Sequence, residues 1–560
     1  MGYLMRKILA GIVASIIAVA AAGYYGATLW AQYQLKNEVE ATFEALRATV
    51  GTATHGGIEF DLWRRQITIA DIVLQSDQAA TVTMKIGGIV AAGVTEPAPG
   101  RIATDRIDIT DLELIVSSLS SSSPQMIHKA SKITILGYSG PVAPLSKIEA
   151  PTIVDVLRLS LEYFAATTAT SISIPTLSAT IASLPWSNTG SGMSGPIDYT
   201  YSNIALHDIR DGHIGLMSMG RLIVTGDADA PGFGKFTGEI GGFSAVDFDT
   251  NVLLTVLNPS KVRNDGYLRL YQRVTFGPYS IRFDKGTRVR MDSLALEDIG
   301  LRPSKLALAE VFALANAEAI LRKPASPAQM RAMLDKIAGL YEGIRIGKIE
   351  LRGVDANMPP EFALKLTAIK LSGLENGRLA EFSLEGLDSQ TPQNMPVTIG
   401  HFVLKGLNLA RLVRMSAQLS AVSRTSEPEQ LLGLLALIEG IEVKDAIASN
   451  GAKKKPVRID VFRLSWGHFV GPIPSTARIT ANATVPTNLA TTLSTILAIN
   501  RSTFQILADT GLQVADVNLD LGVSWTETTR TFVVTPLLVE LGEMFSASGT
   551  LSIHNESARA

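Results

Sequence analysis

A short phrase of alternating apolar and other residues recurs along the chain. Its first, third and sixth positions are apolar, and its fifth position is Asp or Gly. Alternation with a period of two places one set of side chains on one face of a β-sheet, and Asp or Gly marks a bulge or turn. Repetition of the phrase predicts a repeated β architecture. The copies run over 67–72, 107–112, 204–209, 294–299, 349–354, 369–374 and 402–407.

Two copies extend into matching hairpins. Residues 204–214 match residues 369–379 at a constant offset, with Asp211-Gly212 in the first and Asn376-Gly377 in the second. Asp-Gly and Asn-Gly favour two-residue turns because both central residues need a positive φ. The match suggests that two halves of the chain descend from one duplicated unit. Asp265-Gly266 predicts a third hairpin.

The last part of the chain has the clearest strand pattern, and helices interrupt the rest. Alternation over 517–525, 532–541 and 545–553 predicts an antiparallel meander with one apolar face. Ser326 is a predicted N-cap with Pro327 at the first helical position. Linkers are predicted at 184–196 and 446–456. Helices are predicted over 152–165, 304–322, from Ser326, over 409–423, from Ser426 and over 488–508.

An uncharged stretch from Ile8 to Trp30 follows Arg6 and Lys7. At 1.5 Å per residue it spans about 35 Å, enough for a bilayer core. The positive-inside rule places the N-terminus in the cytoplasm and the body outside it. We therefore expect a single-pass protein of the bacterial inner membrane with a periplasmic body. The alternative is a cleaved signal peptide with small residues at 20–22.

These patterns predict a mainly β fold with helical inserts (α+β), in which an N-terminal transmembrane helix precedes an elongated, repeated antiparallel β body that could form an open groove. The expected parts are a cytoplasmic start at 1–7, a transmembrane helix at 8–30, a helical stalk at 31–51, a first β-rich half at 52–300, a helical insert with a second β-rich half at 301–445, and a linker with the C-terminal meander at 446–560.

Composition narrows the functional classes. The net charge is −2, and no concentrated basic stretch exists beyond three lysines at 453–455, so a nucleic-acid partner is not expected. Charged residues make up 18% of the chain, fewer than in ordinary soluble domains, and the mean hydropathy is +0.22. The chain has no cysteine, which excludes disulfides and thiolate chemistry.

Candidate catalytic and metal motifs are weak. His207 and His213, with Asp208 and Asp211 between them, offer metal ligands, but the matching segment at 372–378 carries Ser and Arg at the histidine positions. The acidic run at 247–251 lacks the glycine and the bidentate glutamate of a calcium loop. Residues 192–196 lack the final glycine of a nucleophile elbow. We therefore expect no enzyme activity, no metal and no cofactor.

The layout resembles that of AsmA-like proteins and of YdgA-type single-pass periplasmic proteins of Gram-negative bacteria. The resemblance rests on the anchor, on the segment from Gly57 to Leu74, on the repeated strand phrase and on the closing meander from Asp520 to Ile553. It implies a role in cell-envelope and outer-membrane maintenance, with a β-groove that conducts phospholipid. It supplies no catalytic residues.

Two functions follow as hypotheses. In the first, an apolar β-groove binds phospholipid acyl chains and shields them from water. In the second, a packed β core supports a non-enzymatic scaffold that binds envelope proteins, and the alternating apolar residues are ordinary core. The predicted apolar lining consists of Ile67, Ile69, Ile107, Ile109, Ile204, Leu206, Ile349, Leu351, Ile369, Leu371, Leu519 and Leu521.

Overall fold

A computed structural model of the chain is mainly β, and its strands pair antiparallel. It describes residues 39–40, 43–44, 47, 51–61, 63–76, 81–117, 125–141, 153–182, 195–228, 233–257, 265–306, 327–359, 362–390, 396–419, 437–449, 455–470, 473–486, 513–542 and 545–554. The predicted anchor at 8–30 and the helices predicted from Ser426 and over 488–508 lie outside these residues. Among the residues that are described, no helix is long and apolar enough to cross a bilayer.

The chain divides into two compact units. The first comprises Met1–Arg288 and Ala295–Ala317, and the second comprises Val289–Leu294 and Glu318–Ala560. The chain therefore enters the second unit briefly, returns to the first, and then completes the second.

In the first unit, β3 pairs with both β1 and β2, and the ladder continues through β4, β6, β7, β8 and β9. One edge of β9 then pairs with two strands, with β11 along its first half and with β10 along its second half. The strands are β1 Gly51–Thr54, β2 Ile58–Asp61, β3 Gln66–Ser76, β4 Thr81–Ala92, β5 Thr95–Ala98, β6 Arg101–Ser117, β7 Met126–Pro141, β8 Ala169–Ile181, β9 Ile197–Arg210, β10 His213–Met219, β11 Arg221–Ala228, β12 Gly234–Ile240, β13 Phe243–Asp249, β14 Leu268–Phe276, β15 Tyr279–Phe283, β16 Arg288–Met291 and β17 Ser293–Leu301, of which β16 lies mostly in the second unit.

The second unit is a simple meander in which each strand from β18 onward pairs with the next. The C-terminal meander predicted from alternation is confirmed. Residues 446–448 belong to a paired strand, β22, so the predicted linker was wrong there. The strands are β18 Ile344–Met358, β19 Phe362–Glu375, β20 Arg378–Gln390, β21 Val397–Asn408, β22 Gly440–Ala448, β23 Val457–Val470, β24 Ile473–Pro486, β25 Val514–Thr526, β26 Thr531–Leu541 and β27 Phe545–His554.

The described helices partly match the predicted ones. Those predicted over 152–165, from Ser326 and over 409–423 are confirmed as α1, α3 and α4, whereas α2 was missed. Of the helix predicted at 304–322, the described part is a short 3-10 turn at Pro303–Lys305. The helices are α1 Ile153–Ala165, α2 Thr250–Leu257, α3 Pro327–Gly343 and α4 Leu409–Leu419.

The fifth position of the repeated phrase has a left-handed backbone in every copy. The φ angles lie between 49° at Asp71 and 67° at Gly373 and Gly406. The fifth position therefore does interrupt the regular strand conformation, as predicted, but the bulge or turn predicted there is wrong. Asp tolerates this conformation better than most residues, and Gly has no Cβ to oppose it. The seven residues are Asp71, Asp111, Asp208, Asp298, Gly353, Gly373 and Gly406.

The interruption is not a bulge with an extra residue. On both sides of Asp71 the register between β3 and β4 stays the same, because Ala70 pairs with Gly88 and Ile72 pairs with Ile86. Both strands change their alternation at this point. In β4 the buried residues have even sequence numbers up to Ile86 and odd sequence numbers from Ile89 onward, and β3 changes in the opposite sense after Ile69. The phrase therefore keeps its apolar residues on one face while the alternation slips by one.

We use the word crease for a row of directly opposed positions at which several neighbouring strands change their alternation together. In the second unit, the register places Gly353, Thr367, Gly386, Gly400 and Asp445 at one level of β18 to β22. The left-handed members, Gly353, Gly386 and Asp445, occupy alternate strands. An added Cβ at Gly400 would lie 2.8 Å from the Cβ of Asp445. A left-handed residue that carries a Cβ, such as Asp445, therefore needs a small residue such as Gly400 on a neighbouring strand, whereas Gly353 and Gly386, which have no Cβ, lie opposite Thr367.

The two matching hairpins are confirmed. Asp211 and Gly212 have φ of 49° and 79°, and Asn376 and Gly377 have 50° and 73°. In each case a helix begins on the turn: Thr250 of α2 donates its backbone N–H to the Gly212 carbonyl, and Ala410 of α4 donates to the Gly377 carbonyl. The local repeat therefore includes a third strand and a helix.

The third predicted hairpin was wrong. Neither Asp265 nor Gly266 has a positive φ, and β14 pairs with β13, from which α2 separates it along the chain. The dipeptide alone does not fix a hairpin.

Candidate functional site

The strands of the second unit carry two continuous apolar rows. Directly opposed residues of an antiparallel pair face the same side of the sheet, so the register assembles each row without reference to side-chain positions. The first row consists of Ile349, Leu371, Phe382, Leu404, Ile441, Leu464, Ile479, Leu521 and Leu537. The second row consists of Leu351, Ile369, Leu384, Phe402, Val443, Phe462, Ala481, Leu519, Val539 and Ala547.

Every residue of these two rows is half-buried. None reaches the near-complete burial of Ile67 or Leu74 in the first unit. Among the described elements, the main contacts of this sheet outside its own strands are those of α3 with β18 and of α4 with β20. We call the surface formed by the two rows the apolar face.

The opposite face of the same strands is polar and ion-paired. Residues that alternate with the two rows include Glu350, Glu442 and Asp520. Glu442 accepts hydrogen bonds from Lys444 at 2.6 Å and from Arg463 at 3.1 Å, and both lower the pKa of its carboxyl. These pairs each contribute little to stability, but they show that the ionised side chains of the sheet are gathered on this face.

Asp520 and Glu350 are held ionised in the same way. Arg478 lies 2.8 Å from Asp520, and its hydrogen bond lowers the pKa of that carboxyl. Glu350 is 9% exposed and accepts hydrogen bonds from Lys348 and Arg352, which lower its pKa. The sheet therefore has one apolar and one charged face.

In the first unit the same pattern begins as a closed core. Ile67, Ile69, Ile107 and Ile109 are buried in one cluster that includes Val39 and Phe43 of the preceding helical segment. These four predicted lining residues therefore leave almost no surface for a ligand. Their burial corrects the expectation of a lining at this end of the chain, because the segment that contains Val39 and Phe43 packs against them.

Further along the first unit the side chains become half-buried. Leu206 pairs with Ile172 and Met217, and Ile204 pairs with Ile174. Leu206 packs against a small cluster formed by Ala169, Ile209 and Ile214.

The structure brings the remaining six predicted lining residues together. Ile349, Leu371 and Leu521 lie in the first row, and Leu351, Ile369 and Leu519 lie in the second. Phe382, Phe462 and Ile479 were missed: residues 382–387 do have the form of the phrase, with Gly386 at the fifth position, whereas the strands of Phe462 and Ile479 contain no copy of it. Alternation within their strands was a usable signal, but only the register shows that they join the same rows.

No metal centre is found where the sequence offered one. Within the described part of the chain, no group of three or more His, Asp or Glu side chains is placed to hold a metal ion. His213 lies 3.6 Å from Asp249 and 4.0 Å from Asp247. His207 pairs across the sheet with Leu216 and is exposed. Asp249 instead accepts the backbone N–H of Asn251 at the start of α2.

Fold and site together define a class: a mainly β protein in which a sheet of the second unit has one continuous apolar face and one charged face. Comparison with protein-family models and with curated proteins finds no match to the sequence. The functional argument therefore rests on the chain itself.

Proposed function

We propose that this protein is a membrane-anchored, periplasmic lipid-handling protein whose apolar face binds the acyl chains of phospholipid. The observation that carries the proposal is the pair of continuous apolar rows, the first across β18 to β26 and the second across β18 to β27, half-buried along their whole length. The resemblance in layout to AsmA-like proteins agrees with it.

The physical basis is hydrophobic transfer. Each methylene removed from water contributes about 0.8 kcal/mol, whichever apolar side chain it contacts. A face made of Leu, Ile, Phe and Val across many strands can therefore hold an acyl chain without a specific motif. This agrees with the absence of any catalytic constellation in the sequence.

The test is site-specific photocrosslinking of the full chain in growing bacteria. The crosslinking amino acid p-benzoyl-phenylalanine replaces Phe462, which lies in the second row, or Arg463, which lies on the opposite face of the same strand. We expect a phospholipid adduct at 462 and none at 463. No lipid at 462, or equal labelling at both sites, would refute lipid binding by the apolar face.

The scaffold alternative is favoured by one observation. The start of the first unit is a filled core, in which Ile67, Ile69 and Ile107 are fully buried. If the apolar face of the second unit were likewise occupied in the cell by protein, the crosslinker at 462 would give protein adducts in place of lipid. The same experiment therefore separates the two functions.

A further inference from the structure

Within the part of the chain that the structure describes, the last strand, β27, forms an open and uncharged sheet edge. It pairs with β26, and no other described strand pairs with it. All but one of its residues are exposed, including Phe545 at 53%, Leu551 at 50% and Ile553 at 52%. The strand contains no Lys, Arg, Asp, Glu or Pro, the residues that natural proteins place on edges to prevent further pairing.

The sequence of β27 is complementary to itself about Gly549. In an antiparallel pair with a two-fold axis at Gly549, Phe545 lies opposite Ile553 of the other copy, and Ala547 lies opposite Leu551. The polar positions match as well, because Ser546 meets Ser552 and Ser548 meets Thr550. Aromatic residues opposite β-branched ones, and hydroxyls opposite hydroxyls, are favourable cross-strand pairs.

The backbone permits the same register. Successive residues of a strand point their N–H and C=O groups to opposite edges, so the groups that face away from β26 belong to every second residue. A two-fold axis on a residue pairs odd positions with odd and even with even. Outward-facing groups therefore meet outward-facing groups, and apolar side chains meet apolar side chains.

We propose that β27 is a homodimer interface, in which two copies of this chain pair their last strands antiparallel about Gly549. A two-fold axis perpendicular to a sheet leaves the same face of both copies on the same side. The apolar faces of the two copies then join into one continuous surface, and Phe545, Leu551 and Ile553 gain apolar cross-strand neighbours. The interface does not depend on what the apolar face binds.

Cysteine crosslinking of the full chain in membranes tests the register directly, because the chain has no cysteine of its own. Gly549→Cys is sterically tolerated, since no atom lies within 4 Å of an added Cβ. Opposed Cα atoms in an antiparallel pair are about 4.5–5.5 Å apart, within the range that a disulfide spans. We expect mild oxidation to convert most of this variant to a covalent dimer.

Ser546→Cys is the matched control on the same strand. In the proposed register its two copies are six residues apart along the strand, about 20 Å, so at least tenfold less dimer is expected. Mixed expression of Ser546→Cys with Ser552→Cys should restore crosslinking between the two variants. No dimer at Gly549→Cys although its thiol reacts with a maleimide, or equal dimer at Gly549→Cys and Ser546→Cys, would overturn the proposal.

A charge-pair experiment tests the same register without oxidation. Ser548→Lys with Thr550→Lys opposes like charges twice across the axis, whereas Ser548→Lys with Thr550→Glu opposes unlike charges. Light scattering of the detergent-solubilised full chain should give a monomer for the first and a dimer for the second. The same oligomeric state in both variants would show that β27 does not pair with itself.

Discussion

Aspartate and asparagine take left-handed backbone positions inside the strands of this protein. Their short polar side chains tolerate a positive φ at lower cost than other residues with a Cβ, and glycine takes the remaining positions. Where the left-handed residue is aspartate, the residue across the sheet is small: an added Cβ at Gly87 would lie 3.0 Å from the Cβ of Asp111, and one at Gly215 would lie 3.0 Å from that of Asp208. The phrase predicted an interruption at this residue, but not its left-handed backbone. It could not predict its small partner, because that requires the register.

Gly373→Ala should therefore destabilise the second unit. Its φ of 67° disfavours a Cβ, and the added atom would lie 2.8 Å from the Cβ of Ala380. The expected loss is about 1–3 kcal/mol, seen as a lower melting temperature by circular dichroism. Gly57→Ala is the control, because Gly57 has no positive φ and no atom within 4 Å of an added Cβ. Equal melting temperatures for the two variants would contradict the crease.

Glu350→Gln should have an effect that depends on pH. The pKa of Glu350 is below its ordinary value of 4.5 in the folded chain. Its ion pairs therefore stabilise the fold above pH 4.5, and this contribution is lost as the pH falls through the lower folded pKa. Urea unfolding should show a loss on the order of 1 kcal/mol at neutral pH and a smaller loss at an acidic pH below 4.5. A loss of the same size at both pH values would show that packing, not charge, is responsible.

At the scale of elements, the sheet of the second unit separates apolar from charged residues by strand alternation and by its creases. Alternation alone predicted β25, β26 and β27, because their turns are short and their pattern is clean. It missed α2, whose sequence TNVLLTVL is short and rich in β-branched residues. The hydrogen bond from Asn251 Nδ2 to the Asp211 carbonyl, across the hairpin, helps to fix this helix, and that contact is invisible in a local pattern.

Leu519→Asn combined with Leu521→Asn should weaken lipid binding. Both residues lie in the apolar rows of β25, and an amide in either row exposes a polar group to an acyl chain. We expect a several-fold loss of the lipid adduct formed by a crosslinker at 462. Asp520→Asn, between them on the opposite face, should keep the adduct. Loss of the adduct in the Asp520 variant alone would contradict the assignment of faces.

At the scale of the whole molecule, the mainly β character follows from the repeated phrase, but the division into units does not. Residues 289–294 belong to the second unit, although residues on both sides of them belong to the first. No change in composition marks these crossings, since strands of similar pattern continue through them. Contacts between residues far apart in sequence determine the division into units, and local sequence patterns do not predict such contacts.

The predicted anchor belongs to this scale too. We expect the full chain to remain in the membrane pellet after carbonate extraction, because residues 8–30 form an uncharged stretch long enough to cross a bilayer. Deletion of these residues should release the chain into the supernatant. Release of the undeleted chain, or an N-terminus found at residue 23 by sequencing, would favour the cleaved signal peptide.

The creases also limit how such a sheet can change in evolution. A strand inserted without a left-handed residue, or a partner that fits beside one, such as Gly400 or Thr367, would turn its apolar side chains toward water beyond the crease. A whole hairpin that carries both kinds of residue fits between existing strands and leaves the rows on either side intact. Growth by hairpin duplication is therefore the route open to this architecture, and a sheet of this type can widen by pairs of strands while the surface it presents stays the same.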